Sequence, residues 1–353
     1  MKAIKREMRR VILIGDSSSK RTLFFEKAAK ALDVPFRVVD WEALTETSAL
    51  DLFEGAAVKI DPPSYSIVHL SQMKEQLEAY QRTLRHLAKA DCAFFNSPET
   101  ICRMLDKRET NRRLKAREIL VTDMFPEEIK TADQLEETMR EKHCYSVFVK
   151  PSCFSGAAGV AAFRMHPRSG NRKLYTSCRL ERGRLVNTKK LTCMEESVRI
   201  RRMLDDLLAL GCVVERWHPK AEFQGKSYDL RIVFQFGHII SMVARQSRGP
   251  ITNLHLNNQA MSVEDLELGE TIQQKIASVC KDAWEAFSGI SVADSESKFV
   301  FGGANMAGMD LLLEKGTMRP RIIEMNGQGD LIYQDIYNEN RIYLEQVRIL
   351  SGI

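Results

Sequence analysis

The chain has 353 residues, 44% of them hydrophobic and 28% charged, the balance of an ordinary globular protein with room for two or three packed units. Its formal charge of +5 suits anionic substrates, but the basic residues are scattered apart from KREMRR at the start, which argues against nucleic acid as a partner. No apolar stretch approaches the roughly eighteen residues of a membrane span, so none is expected.

In chain order, VILIGDSSS reads as a short apolar strand running into a Gly-Asp-Ser loop. Only four apolar residues follow the basic start, too few for a signal peptide. RTLFFEKAAKAL has helical spacing and PFRVVDW is a second strand, an order that suggests a small parallel α/β unit. A single glycine in the first loop is not a dinucleotide fingerprint, so a plain strand-to-helix turn is expected there. Residues 71 to 90 form an amphipathic helix, and CAFFNSP is a strand closing the unit at Pro98. A helical region opens at SPETICRMLDKRETNRRLKA, with Ser97 as N-cap and Pro98 at the first helical position. CYSVFVKP is a strand, and the Gly, Ser and basic residues of 156 to 195 suggest a small, twisted β lobe. ESVRIRRMLDDLLALG is an amphipathic helix stopped by Gly211. CVVERW is a buried strand, and DLRIVFQFGHIISMVARQ is two strands around Phe236-Gly237. A helix is expected over 263 to 287, then strands AGMDLLLE and RPRIIEMN joined near Lys315-Gly316, then a last helix. Eight cysteines without CxxC or regular spacing read as reduced thiols in a cytoplasmic protein.

Four places carry candidate chemistry. Glu324 and Asn326 are i and i+2 on one strand face, set among Ile322, Ile323 and Met325, and Asp310 lies on the preceding strand among Met309, Leu311, Leu312 and Leu313. A bare buried carboxylate is costly, so these need a cation. It is either Mg²⁺, for which such oxygen donors are suited, or a nearby lysine or arginine. Glu215 ends the strand VVERW before a break at His218-Pro219, either to meet a flat polar ring or as a strand-edge ion pair. Asp229 and Arg231 share a face of YDLRIVFQ, the spacing of a plain salt bridge. ARQSRGPITNLHLNN reads as a polar loop with Arg245, Arg248, Asn253 and His255, whose arginines suit phosphoryl or carboxylate groups or simply face solvent. Finally, FVKPSCFSGAAGV places Lys150 before a small-residue loop with Ser155, Gly156 and Gly159, the reverse of a P-loop.

Together, Lys107 in LDKRET, Lys150 with its glycine loop, Glu215, Asp229-x-Arg231, Asn253, Asp310 and Glu324-x-Asn326 resemble the ATP-grasp superfamily over about residues 97 to 330. TNLHLNN is similar to the asparagine loop of glutathione synthetase and of the ligases that add glutamate to a ribosomal protein. It departs from them in Ile251 and in Asn257-Asn258, which stand where glycines are usual, so the acceptor does not carry over.

The resemblance implies two α+β lobes clamping nucleotide over 98–353, with a β-rich lid lobe at about 142–216, preceded by a small parallel α/β domain over 1–97. It implies an ATP-dependent carboxylate–amine ligase acting through an acyl phosphate, or alternatively a kinase or a regulatory nucleotide binder on the same apparatus. Mg²⁺, two ions with Mn²⁺ able to substitute, would sit on Asp310, Glu324 and Asn326. Lys107 and Lys150 would hold the phosphates under the loop of Ser155, Gly156 and Gly159. Glu215 would read the adenine amino group, with the Arg216 and Trp217 backbone on the ring edge, Lys220 or Glu222 at the ribose and Asn253 beside the nucleotide. Arg231, with Arg248 or Arg245, would serve the substrate carboxylate and acyl phosphate. The partners implied are a small-molecule or peptide carboxylate and an amine acceptor, free or on a peptide or carrier protein, in a chain that could form a homodimer.

Overall fold

Strand β1 (Val11–Gly15) owes its position to the run VILI, whose side chains are all buried. Each such burial contributes about 1.5–3 kcal/mol. The computed structural model describes residues 9–64, 69–153, 158–256, 258–288, 303–329 and 340–353. Helix α1 (Lys20–Ala31) follows β1, its N-cap Ser19 accepting the Thr22 N–H at 3.1 Å. Strands β2 (Phe36–Asp40), β3 (Ala57–Ile60) and β4 (Ala93–Phe94) complete a parallel sheet in the order β2-β1-β3-β4, with α2 (Ser71–Leu87) between β3 and β4 in sequence. Strand β3 was not expected, because Lys59 interrupts its apolar run. The structure buries that lysine against Asp61, with its ammonium 5.6 Å from the Tyr343 ring.

The helical region after Ser97 is two helices. Ser97 caps α3 (Pro98–Leu105), with Pro98 in its first turn. Asp106 then leaves helical geometry and caps α4 (Lys107–Lys115), accepting the N–H groups of Arg108 and Glu109 at 2.9 and 3.2 Å. The break sets Lys107 at the head of α4.

The second sheet is antiparallel. It contains β5 (Ser146–Pro151), β6 (Ala161–Met165), β7 (Arg172–Glu181), β8 (Arg184–Met194) and β9 (Cys212–Arg216), in the order β8-β7-β6-β5-β9. Helices α5 (Ala132–Glu141) and α6 (Ser197–Leu208) share a core with it, in which Leu135, Val147, Phe163 and Leu204 are fully buried. Past α6 the chain turns at Gly211, whose φ of +81° suits the residue expected to stop the helix.

The third sheet runs β13-β12-β11-β14-β15, with β10 on β11. Its strands are β10 (Glu222–Phe223), β11 (Lys226–Gln235), β12 (His238–Ser247), β13 (Gln259–Ser262), β14 (Met306–Leu313) and β15 (Pro320–Asn326). Phe236 and Gly237, φ +49° and +90°, make the tight turn between β11 and β12. Helix α7 (Glu270–Ser288) packs Ile276, Cys280 and Trp284 into this core. It starts later than the expected 263, because only a short 3-10 turn forms at Glu264–Leu266 and Glu267 then adopts left-handed geometry. Helix α8 (Arg341–Ser351) returns to the first unit, where Tyr343 stacks on Phe24 at 6.0 Å. Among the described residues no helix is long and apolar enough to cross a membrane, and all eight cysteines are free thiols.

Candidate nucleotide-binding site

A cleft lies between the second and third sheets. Its walls include Lys150 from β5, Glu215 from β9, Asp229 from β11, Arg245 from β12, Asp310 from β14 and Glu324 from β15. Strand pairing explains the convergence. Asp310 lies opposite Glu324 across β14 and β15 and opposite Arg231 across β14 and β11, while Asp229 lies opposite Arg245 across β11 and β12. Cross-strand neighbours stand about 5 Å apart, so four sequence-distant segments place their charges side by side.

These charges form a chain of ion pairs. The Arg245 Nε donates to Asp229 Oδ1 at 2.7 Å, and its Nη2 lies 3.0 Å from Asp310 Oδ2. Arg231 Nη1 donates to Asp310 Oδ1 at 2.6 Å. Lys220 Nζ donates to Thr252 Oγ1 at 2.6 Å and to Asp229 Oδ2 at 3.2 Å, and Thr252 itself donates to Asp229. Burial alone would raise the pKa of both aspartates. For Asp229 the charges of Arg245 and Lys220 outweigh it, and for Asp310 those of Arg245 and Arg231 do, so both carboxyls sit below the usual range.

Nearer the second sheet, Lys150 Nζ donates to Glu215 Oε2 at 2.8 Å. Burial pulls the Lys150 ammonium down, but Glu215, then Glu324 and Asp310, outweigh it and hold it above the ordinary lysine value. Lys107 Nζ lies 3.8 Å from Glu324. Besides His218 Nε2, which lies 3.2 Å from the Asp123 carboxylate, two buried polar atoms of the cleft, Glu215 Oε1 and Thr122 Oγ1, have no hydrogen-bond partner among the described residues. Unsatisfied buried polar atoms are scarce in folded proteins, and two in one cleft mark a place where a polar ligand completes the bonding.

The structure gathers Lys150, Glu215, Arg216, Lys220, Arg245, Asn253, Asp310 and Glu324 along the cleft, with Arg231 and Lys107 in contact with its acids. Asn326 stands two residues beyond Glu324, its Oδ1 accepting the Gln328 N–H at 2.9 Å. Gly159 has φ +74°, and a Cβ there would lie 2.7 Å from Pro151, so its small size serves the turn itself. Ser155 and Gly156 lie outside the described residues.

Several expectations need correction. Arg245 is not on a loop but in β12, buried and committed to Asp229 and Asp310. Lys220 is buried against Asp229 and Thr252 rather than free for a ribose. Glu222 is exposed on β10 and pairs with Lys315 at 2.8 Å, away from the cleft. The backbone N–H groups of Arg216 and Trp217 donate to Asp123 and Ser146 at 2.8 and 2.9 Å, so neither is free to meet a ring edge. The Trp217 ring packs on Phe148, 5.4 Å away. Arg248 is exposed and makes no ion pair among the described residues. Thr122 and Thr252 were not anticipated; only the position of Thr252 beside Asn253 could have drawn attention to it.

For a metal, the donors are two carboxylates on adjacent strands and one amide oxygen, hard ligands that fit Mg²⁺. Among the described residues no group of three or more His, Cys, Asp or Glu that could hold a metal is present, here or elsewhere, so the candidate set rests on two carboxylates and the amide. A roomier cavity, about 480 Å³, opens at the far end of β12 beside α8, but no lysine lines it.

No protein-family model matches the chain, and no curated protein sequence matches it. Solved structures do. D-cycloserine synthetase DcsG superposes with a TM-score of 0.61 at 15% identity, over 97% of this chain and 98% of that one. The ATP-grasp ligase PsnB, complexed with precursor peptide PsnA2 and AMPPNP, gives 0.55 at 10% identity over 99% and 100%. The macrocyclase MdnC from Microcystis aeruginosa MRC, bound with precursor peptide MdnA, gives 0.57 at 13% over 97% and 99%. With a parallel sheet, two antiparallel sheets and near-complete coverage of these neighbours, the chain has the ATP-grasp fold.

Proposed function

We propose that this protein is an ATP-dependent ligase that joins a carboxylate to an amine through an acyl phosphate, releasing ADP and phosphate. The observation that carries this reading is the facing pair Asp310 and Glu324, ringed by Lys107, Lys150, Arg231 and Arg245 in a cleft between two sheets. Such a site handles phosphates by charge and position and needs no side-chain nucleophile.

In this reading Lys150 and Lys107 hold ATP phosphates, each giving up part of its contact with Glu215 or Glu324. Glu215 Oε1, the orphan acceptor, takes an adenine amino N–H, and Asn253 lies beside the nucleotide. Asp310, Glu324 and Asn326 are the residues that would hold Mg²⁺, which when bound offsets charge on the phosphates. Arg231 and the exposed Arg248 would serve the substrate carboxylate and the transferred phosphoryl. Arg245 acts differently from either, because its guanidinium fixes the positions of Asp229 and Asp310.

The substrate carboxylate attacks the γ-phosphorus and ADP leaves with the β–γ bridging oxygen. An amine then attacks the acyl carbon, and phosphate departs with one oxygen of the former carboxylate. Two structural neighbours are described with precursor peptides, which supports a peptide as one substrate. The test is ADP release from ATP and Mg²⁺ with pooled carboxylates and amines. Release that requires both pools supports the ligase. Release with a stable phosphorylated product, or none with any pair, refutes it.

A further inference from the structure

The scatter of basic residues read from the sequence hides one concentration. Residues 164 to 202 hold twelve Lys and Arg against three Glu, a net +9 in a chain whose total is +5, so the remainder carries −4. Some of these cations are neutralised locally, as in Arg172 with Glu136 and Lys173 with Glu195. Arg182, Arg184, Lys189, Lys190 and Arg202 are exposed and make no ion pair among the described residues. Arg182 and Arg184 flank Gly183 at the β7–β8 turn, and the Arg202 guanidinium of α6 approaches to within 3.9 Å of a Cβ built on that glycine. Three unpaired arginines therefore meet at one hairpin tip.

Strand β8 ends the sheet order, so its outer side pairs with no strand of the sheet. Near the tip residues of the first unit pair with its outer edge, the Leu70 N–H donating to the Leu185 carbonyl at 3.0 Å and His69 bridging Val186, so the stretch open to a further strand lies beyond Val186. Towards its other end, Leu191 Cδ2 lies 3.0 Å from a Cβ built on Gly249, which begins the segment that carries Thr252 and Asn253 into the cleft. Strand β8 thus runs from the arginine cluster to the site, with Lys189 and Lys190 next to its site end. From Arg184 to Lys190 is roughly 20 Å of extended chain, the reach of about six residues of peptide.

We infer that the β7–β8 hairpin is the docking surface for an acidic peptide segment, which lies along β8 and delivers an attached reactive group to the cleft. The inference rests on the ligase reading and names its substrate class. Charge complementarity favours a short acidic segment over a nucleic acid. A long polyanion would have to pass the net-negative remainder of the chain. Single strands are also held by exposed stacking aromatics, and among the described residues the large exposed apolar side chains are Leu23, Val198 and Ile353, none aromatic.

The test is fluorescence anisotropy of a labelled oligo-glutamate of about eight residues on the full chain without nucleotide, at about 20 mM and about 150 mM salt. The expected result is binding that weakens with salt and falls about tenfold in Arg182→Glu/Arg184→Glu and in Lys189→Glu/Lys190→Glu. Lys115→Glu/Arg117→Glu, the same charge change on exposed positions elsewhere, should leave it within about twofold. No binding by the wild type overturns the inference. So does equal weakening by all three variants, which would leave the hairpin cations as guards of an edge strand. Tighter binding of a labelled oligothymidylate, lost in the same hairpin variants, overturns it in favour of nucleic acid. Failure of the ligase reading shows separately, as absent ADP release, because this binding is read without ATP.

Discussion

Replacing Arg245 with alanine isolates the ion-pair chain under the cleft. The guanidinium is buried between Asp229 and Asp310, at 2.7 and 3.0 Å. Removing one partner of a buried pair costs about 3–5 kcal/mol, because the other charge is left uncompensated. Here Asp310 keeps Arg231, and Asp229 keeps Lys220 and Thr252, so the low end, about 3 kcal/mol, is expected. Urea unfolding of Arg245→Ala beside Arg248→Ala is the assay, with the exposed arginine expected to change stability by less than about 0.5 kcal/mol. The pH dependence is a second readout. Asp229 is held below the unfolded carboxylate pKa, so its contribution to the wild type is complete above that pKa and is lost only as pH falls through the lower folded value. Loss of Arg245 removes the largest charge opposing burial, so the Asp229 pKa should rise despite Lys220 and Thr252, and lowering the pH should protonate it in the folded variant and relieve the penalty. The stability gap should therefore narrow as pH falls from about 7 towards about 4. A gap no larger than that of Arg248→Ala, or one that widens towards acid, would refute the reasoning.

Three further outcomes follow from the site. Glu324→Ala should abolish Mg²⁺-dependent ATP consumption while circular dichroism stays native, since it removes a half-exposed ligand and little core volume; near-normal consumption by the folded variant sinks the metal assignment. Arg248→Ala should lower kcat and kcat/KM together by roughly 10²–10³-fold with ATP affinity kept, and Arg248→Lys should rescue it only partly; weakened ATP binding with unchanged kcat would move Arg248 out of the reacting centre. Glu215→Gln should raise the KM for ATP by about tenfold or more and erode the preference for ATP over GTP, and an unaltered nucleotide preference would remove Glu215 from the adenine.

Much of the site was legible because strand periodicity is local. Glu324 and Asn326 share a face by spacing alone, and the apolar residues around Asp310 mark its strand as buried. Cross-strand register is not local. Nothing near Arg245 in sequence says that Asp229 and Asp310 lie beside it, and so it read as a loop arginine. The same limit hid the role of Lys220, whose partners are nine and thirty-two residues away. Strand β3 was missed because Lys59 breaks its pattern and is tolerated only through Asp61. Strand β13, Gln259–Ser262, has too little apolar alternation to stand out from a polar loop. The basic hairpin was in plain view but was averaged into a modest total charge by acids elsewhere.

The central claim is that a carboxylate is activated by phosphorylation and then captured by an amine. Its most direct test takes a carboxylate found in the ADP-release screen, labels it with ¹⁸O in both oxygens, and follows turnover with the amine by mass spectrometry. The account predicts one ¹⁸O in the released phosphate and one in the amide product. Unlabelled phosphate alongside amide formation, or a phosphorylated product that accumulates without amide, would contradict it.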